Sequence, residues 1–187
     1  IESSARAEHG STWWGTNSLE ADFAGAARMT TERLAVQATR EDLAPGRHRV
    51  ILTPSAVADL LIYLAWSANG RDAVEGHNVF ARPGGGTRIG EILSHRHLDL
   101  YADPAQPGLG TGDRLVVDAN SSMESVFDNG LPLSRTHLIT GGRLTALRAS
   151  RPTAARCGLE PVYLADNLIL QDAEGQGDPA DLVARAD

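Results

Sequence analysis

Thr53-Pro54-Ser55-Ala56-Val57-Ala58-Asp59-Leu60-Leu61-Ile62-Tyr63-Leu64-Ala65-Trp66-Ser67-Ala68-Asn69-Gly70 reads as one helix whose ends are marked by local chemistry. Thr53 can accept a hydrogen bond from the first free amides. Pro54 suits the first helical position, where its missing N–H costs nothing, and Gly70 can take the left-handed turn that stops a helix. Val57, Leu60, Leu61 and Leu64 recur at steps of three and four, and Ile62, Ala65 and Trp66 widen the apolar surface almost all the way round. That pattern predicts a helix packed on several sides. At roughly sixteen residues it is shorter than the ~20 needed to span a bilayer, and no stretch combines a basic start, an apolar run and a small-residue cleavage site. A cytoplasmic protein is expected.

Outward from this helix, Phe23 to Ala44 is rich in Ala, Leu and Arg, and predicts an amphipathic helix closed by Pro45-Gly46. Arg47-His48-Arg49-Val50-Ile51-Leu52 alternates as a short β run. Arg71 to Gly112 is loop-heavy, broken by Pro83-Gly84-Gly85-Gly86, Asp103-Pro104 and Gln106-Pro107-Gly108, with a short segment near Ile89–Leu93 and a strand near Leu98–Tyr101. Leu115-Val116-Val117 is a further β run. Thr136–Thr140 and Arg143–Leu147 flank Gly141-Gly142, the signature of a tight hairpin whose loop positions need positive φ. Helices and hairpins in this order, without regular βαβ alternation, predict an α+β fold: an antiparallel or mixed sheet with packed helices.

Composition narrows the function classes. The 187 residues are 42% hydrophobic and 22% charged, ordinary for a globular chain with one core. The formal charge of -7 and the absence of basic runs interleaved with aromatics argue against nucleic-acid binding. Cys157 stands alone, so no internal disulfide is possible, and it reads as a small packed residue in a reducing compartment. Asp178-Pro179-Ala180-Asp181-Leu182 reads as a capped helix barely begun, so the chain is expected to be a fragment of a longer protein.

Candidate chemistry is sparse. His95 and His97, two apart, would share one face of a strand and could offer two imidazoles to a metal, but no third ligand stands at a telling offset. His77 reads as a loop residue. Pro83-Gly84-Gly85-Gly86-Thr87 lacks the Gly-Lys-Ser/Thr ending of a phosphate loop, since Arg88 follows. Asp103, Asp113, Asp118, Glu124 and Asp128 could do acid–base work or bind a cation, although turn and cap duties account for Asp103 before Pro104 and Asp128 before Asn129-Gly130.

Four segments in fixed order carry a resemblance: Asp103-Pro104-Ala105-Gln106-Pro107-Gly108, then Asp128-Asn129-Gly130-Leu131-Pro132-Leu133-Ser134-Arg135-Thr136, then Leu138-Ile139-Thr140-Gly141-Gly142-Arg143-Leu144, and Ala155-Arg156-Cys157-Gly158. Together they resemble the TldD/PmbA family, metalloprotease-related proteins also called modulators of DNA gyrase. The resemblance implies that residues 1–45 close a middle region with a strand and a helix, and that residues 46–187 begin the C-terminal TldD/PmbA domain. TldD-like members are zinc peptidases with HExxxH on a helix; PmbA-like (TldE) members lack it and pair with a TldD-like chain. Aligned through Leu60-Leu61, the three motif positions hold Ile62, Tyr63 and Ser67. Ile62 has no donor atom, Tyr63 is a poor base near neutral pH, and a lone Ser67 does not hold zinc.

The resemblance therefore implies a PmbA-like subunit with no catalytic or metal-binding residue of its own. Zinc is expected only in a TldD-like partner, and the dimer would form with that subunit or with a second copy. Unfolded peptide would be the substrate in maturation or degradation, with no nucleic acid or membrane involved. His77, Asn78, Arg88, His95 and His97, in the long loop, are the expected contacts to peptide or partner. Two alternatives stay open: an active metallopeptidase with ligands outside this segment, and a homodimeric peptide-binding scaffold.

Overall fold

The computed structural model describes residues 2–8, 10–15, 21–39, 42–176 and 181–182. It divides into two units, Ile1–His48 and Arg49–Asp187. The helix start expected at 178–187 lies largely outside the described residues.

In the first unit, β1 (Glu2–Ala7) and β2 (Gly10–Gly15) form an antiparallel hairpin with Ala7 opposite Gly10. The resemblance implied one strand and one helix here; the second strand was not expected, because Glu2–Ala7 carries no β-branched or aromatic residue and its pairing depends on its neighbour. The helix α1 (Phe23–Val36) packs on this hairpin, its start capped by Asp22, whose carboxylate accepts from Gly25 N at 2.8 Å. The expected extension to Ala44 does not form. Val36 and Leu43 are both exposed, so further turns would bury nothing, and Thr39 and Asp42 favour turns over helix.

The second unit is built on a four-stranded antiparallel sheet in the order β5-β4-β3-β6, from β3 (Leu98–Ala102), β4 (Thr136–Thr140), β5 (Arg143–Leu144) and β6 (Ile169–Asp172). With the helices α2 (Pro54–Ser67), α3 (Gly70–Val74) and α4 (Arg151–Cys157), this is the α+β class expected. Leu100, Leu138, Leu144 and Leu147 form the buried centre with Ala68, Ala73 and Phe80. The Gly141-Gly142 hairpin is present, with φ of 55° and 78°.

At the start of α2 the cap chemistry holds: Thr53 Oγ1 accepts from Ala56 N at 3.3 Å and Pro54 opens the first turn. Its end differs from expectation. Ala68 ends α2, and Asn69 caps α3 by accepting from Arg71 N at 3.1 Å, so Gly70 begins the next helix instead of stopping this one. Gly70 N donates to Arg148 O at 2.8 Å, and a Cβ there would stand 2.6 Å from Leu159 Cδ1 and 3.2 Å from Arg148 O. Close approach to another segment, not a left-handed turn, explains this glycine.

Two expected β runs are corrected. Arg47–Leu52 forms no strand, and Val50, Ile51 and Leu52 are exposed: alternation makes a strand only where the segment meets a sheet edge, and this one pairs with no strand among the described residues. Leu115–Val117 joins no sheet either. Leu115 N donates to Leu131 O (2.9 Å) and Gly130 N to Leu115 O (2.8 Å), while the Asn129 amide bonds both Val117 N and Val117 O. Leu115 is buried but Val116 is 82% exposed, so the pair of segments forms a narrow ribbon with one covered side.

Gly142 makes the hairpin sensitive to substitution. It donates from N to Leu98 O and accepts at O from Leu93 N, and a Cβ would stand 2.1 Å from Ser94 O and 2.6 Å from Arg96 O. Gly141 has positive φ but open space around it. Gly142→Ala is expected to lower stability by more than about 3 kcal/mol, against ~1 kcal/mol for Gly141→Ala, because backbone cannot yield as a side chain does. Denaturant unfolding of the two variants side by side checks this; equal losses would contradict it.

Candidate functional site

One stripe of α2, Ala58, Leu61, Ile62, Ala65 and Trp66, recurs at helical spacing and forms one wall of a cavity of about 570 Å³. Met123, Glu124, Arg148 and residues 164–168 form the rest. Glu124 and Arg148 are paired at 2.6 Å, while the Arg148 Nε lies buried without an acceptor among the described residues. Leu61, Leu64 and Ala68 pack toward the core, but Leu60 is 59% exposed, Tyr63 65% and Trp66 60%. The expectation of a helix buried on several sides is thus overturned. Apolar residues cover most of its circumference, yet the second unit supplies packing partners to one side only.

The three motif positions have clear placements. Ile62 lines the cavity. Tyr63 lies in solvent, its ring edge-on to Trp66 with centroids 5.4 Å apart. Ser67 Oγ donates to Tyr63 O at 2.8 Å, a bond within its own helix. An alkyl group, an exposed phenol and an internally bonded hydroxyl do not form a zinc donor set. Among the described residues no three His, Cys, Asp or Glu side chains are grouped to hold a metal ion.

The long-loop residues are not brought together as one surface. His95 and His97 sit in a bend before β3, not in a strand, so the shared strand face that would aim both imidazoles one way does not exist. Both are exposed; His97 Nδ1 lies 3.4 Å from Glu174, and Arg96 between them pairs with Asp172 at 2.5 Å. His77 is exposed, 3.5 Å from Glu75. Asn78 works internally: its Nδ2 donates to Ser67 O and Asn69 O, each at 2.9 Å, and its Oδ1 accepts from Phe80 N. Arg88 donates to Glu91 (2.8 Å) and Val79 O (3.1 Å), and Arg82 shares the same carboxylate. These two arginines hold the Glu91 carboxyl below its usual range, Arg88 foremost.

Of the acidic residues, Asp103 and Asp128 are structural. Asp103 accepts from Ala105 N (3.0 Å) and pairs with Arg135 (2.8 Å), and these contacts, the Ala105 amide first, lower its pKa. The Arg135 guanidinium also lies 5.0 Å over the Tyr101 ring, which stacks on His137. Asn167 locks the same turn, accepting from Asp103 N and donating to Asp103 O and Leu109 O. Asp128 is 1% exposed. Burial opposes its ionisation, but the Tyr163 hydroxyl, the Arg151 guanidinium and Arg151 N outweigh that and bring its pKa below the usual carboxylate range. Burial and the Asp128 carboxylate in turn push Tyr163 up to about 12.

Asn167, Arg151, Tyr163 and Arg148 escaped the sequence reading, and no local pattern could have found them. Their partners stand 64, 23, 35 and 24 residues away.

These shifts have opposite signs and separate pH windows. Asp128, with a folded pKa below its unfolded value near 3.9, contributes stability above about pH 4 that is lost as pH falls through the folded value. Tyr163, raised to about 12 from ~10, contributes stability that is complete below about pH 10 and fades as pH rises toward 12. Asp128→Asn weakens the charge-assisted bonds from Tyr163 and Arg151 and is expected to cost about 2 kcal/mol at pH 7, with the gap to wild type closing in acid. Tyr163→Phe should remove the alkaline decline between pH 10 and 12. Stability–pH curves of the three proteins check both; parallel curves would contradict the assignment.

The geometry can be set beside known proteins. The fold is similar to the crystal structure of a "putative modulator of DNA gyrase" from Bacteroides thetaiotaomicron, with a TM-score of 0.62 and 16% identity, covering 91% of this chain. The chain spans 37% of the length of that protein, and at this identity the likeness speaks for the fold alone. No curated protein matches the sequence. The family model of the PmbA/TldA metallopeptidase C-terminal domain matches residues 45–186, a stretch holding α2, the whole four-stranded sheet and all four motif segments. With that match over most of its length, the chain belongs to the PmbA/TldD family.

Proposed function

We propose that this chain is the PmbA-like subunit of a TldD/TldE-type peptidase assembly, binding no metal itself and serving to shape a cavity that admits unfolded peptide to a zinc-bearing partner. The observation that carries the reading is the donor chemistry of α2, where Ile62, Tyr63 and Ser67 stand at the HExxxH positions and cannot bind zinc or activate water. The exposed face around Leu60, Tyr63 and Trp66 supports a protein partner. It is apolar, and Asp59 is the only charged residue in α2. β6 pairs only with β3 among the described residues, so an extended peptide can add along its open edge by main-chain bonds that tolerate varied sequences.

In this reading His77, His95 and His97 are exposed contact residues of the loop, while Asn78 and Arg88 hold the loop in shape. No helix of the described residues is long and apolar enough to cross a membrane. A cytoplasmic peptide-processing role is the location proposed.

Elemental analysis of the full-length protein, purified without chelator or metal-affinity resin, is expected to find far less than one zinc per chain. A companion chain carrying HExxxH should co-purify with it, and peptide hydrolysis should require both. One zinc per chain, with hydrolysis by this protein alone, would overturn the reading in favour of a peptidase with ligands elsewhere.

A further inference from the structure

We infer that the cavity beside α2 is a side-chain pocket that selects a bulky apolar residue next to a lysine or arginine in an extended peptide. This rests on the peptide-handling reading above and adds a sequence preference to it. The cavity's about 570 Å³ falls within the ~300–1,000 Å³ of ligand pockets and exceeds what one small side chain would fill. Leu61, Ile62, Trp66, Met123, Leu164 and Leu168 make its surface largely apolar.

Two observations favour a peptide of this kind over a free small molecule. Wall segment 164–168 runs directly into β6, so a strand added along the edge of β6 would have one end beside the cavity. The charge is also one-sided. Glu124 is matched by Arg148 at 2.6 Å and presents no net charge, whereas Asp166 at the rim is exposed and has no partner among the described residues. An unpaired carboxylate beside an apolar pocket, on a chain of net charge -7, favours a cation next to the buried side chain and disfavours an acidic neighbour.

The test uses end-blocked hexapeptides of Gly and Ser with Phe-Lys, Gly-Lys, Phe-Ser or Phe-Glu at the centre, titrated calorimetrically into the full-length protein. Phe-Lys is expected to bind at least tenfold more tightly than Gly-Lys, with Phe-Ser intermediate and Phe-Glu weaker than Phe-Ser. Ala58→Trp, a change at an exposed position on the cavity wall, should erase the preference for Phe. Asp166→Asn should erase only the preference for Lys, with unchanged thermal melts confirming that both variants fold. If all four peptides bind alike and Ala58→Trp changes nothing, the pocket inference falls while peptide handling stands. If no peptide binds, both fall together.

Discussion

The junction between α2 and residue 148 is the constraint on which the site depends. Arg148 N donates to Ala68 O at 2.7 Å and Gly70 N donates to Arg148 O at 2.8 Å, so two backbone bonds fasten the end of α2 to the chain that continues from the hairpin. Asn78 reinforces the joint by bonding Ser67 O and Asn69 O. Because Gly70 has no Cβ, the two backbones can come this close. The same bonds carry the Arg148 side chain to the cavity wall, where it meets Glu124. The cavity is therefore a product of the joint, set by main-chain geometry before any wall side chain is chosen.

A second layer of constraint comes from carboxylates held inside arginine and amide networks. Asp128 ties the ribbon ahead of β4 to the start of α4 through Arg151 and Tyr163, and Asp103 ties the end of β3 to Arg135 and Asn167. In each pair the carboxylate is covered while its arginine is more than half exposed, so removing the arginine would strand a desolvated charge, whereas removing the carboxylate leaves a guanidinium that water can solvate. Such residues hold loops in place while remaining unavailable as acids, bases or ligands. Of the two carboxylates lining the cavity, Glu124 is paired with Arg148 and Asp166 is exposed.

The helix itself is under conflicting demands. Its apolar residues cover more of the cylinder than this sheet can bury, and an exposed Leu60, Tyr63 and Trp66 are costly in water unless another surface meets them. A helix carrying zinc ligands would need polar groups aimed into the cavity. Here the stripe facing the cavity is Ala58, Leu61, Ile62, Ala65 and Trp66, whose side chains offer no metal-donor atom.

What the amino-acid sequence determined by itself was local. Thr53-Pro54 began a helix because a hydroxyl and a ring satisfy the needs of a first turn within four residues, and Gly141-Gly142 made a hairpin because positive φ is a property of those two residues. The four motif segments were legible because their order lies along the chain. Tertiary structure alone decided what depends on distant partners. It ended α2 at Ala68, left Val50–Leu52 and Val116 without a sheet, placed His95 and His97 in a bend, and exposed half of a helix whose composition implied burial. It also joined Asp128 to Arg151 and Tyr163 and opened the cavity beside Ile62. The physical reason is one of range: caps and turns are satisfied by near neighbours, whereas burial, pairing and pockets exist only once remote segments meet.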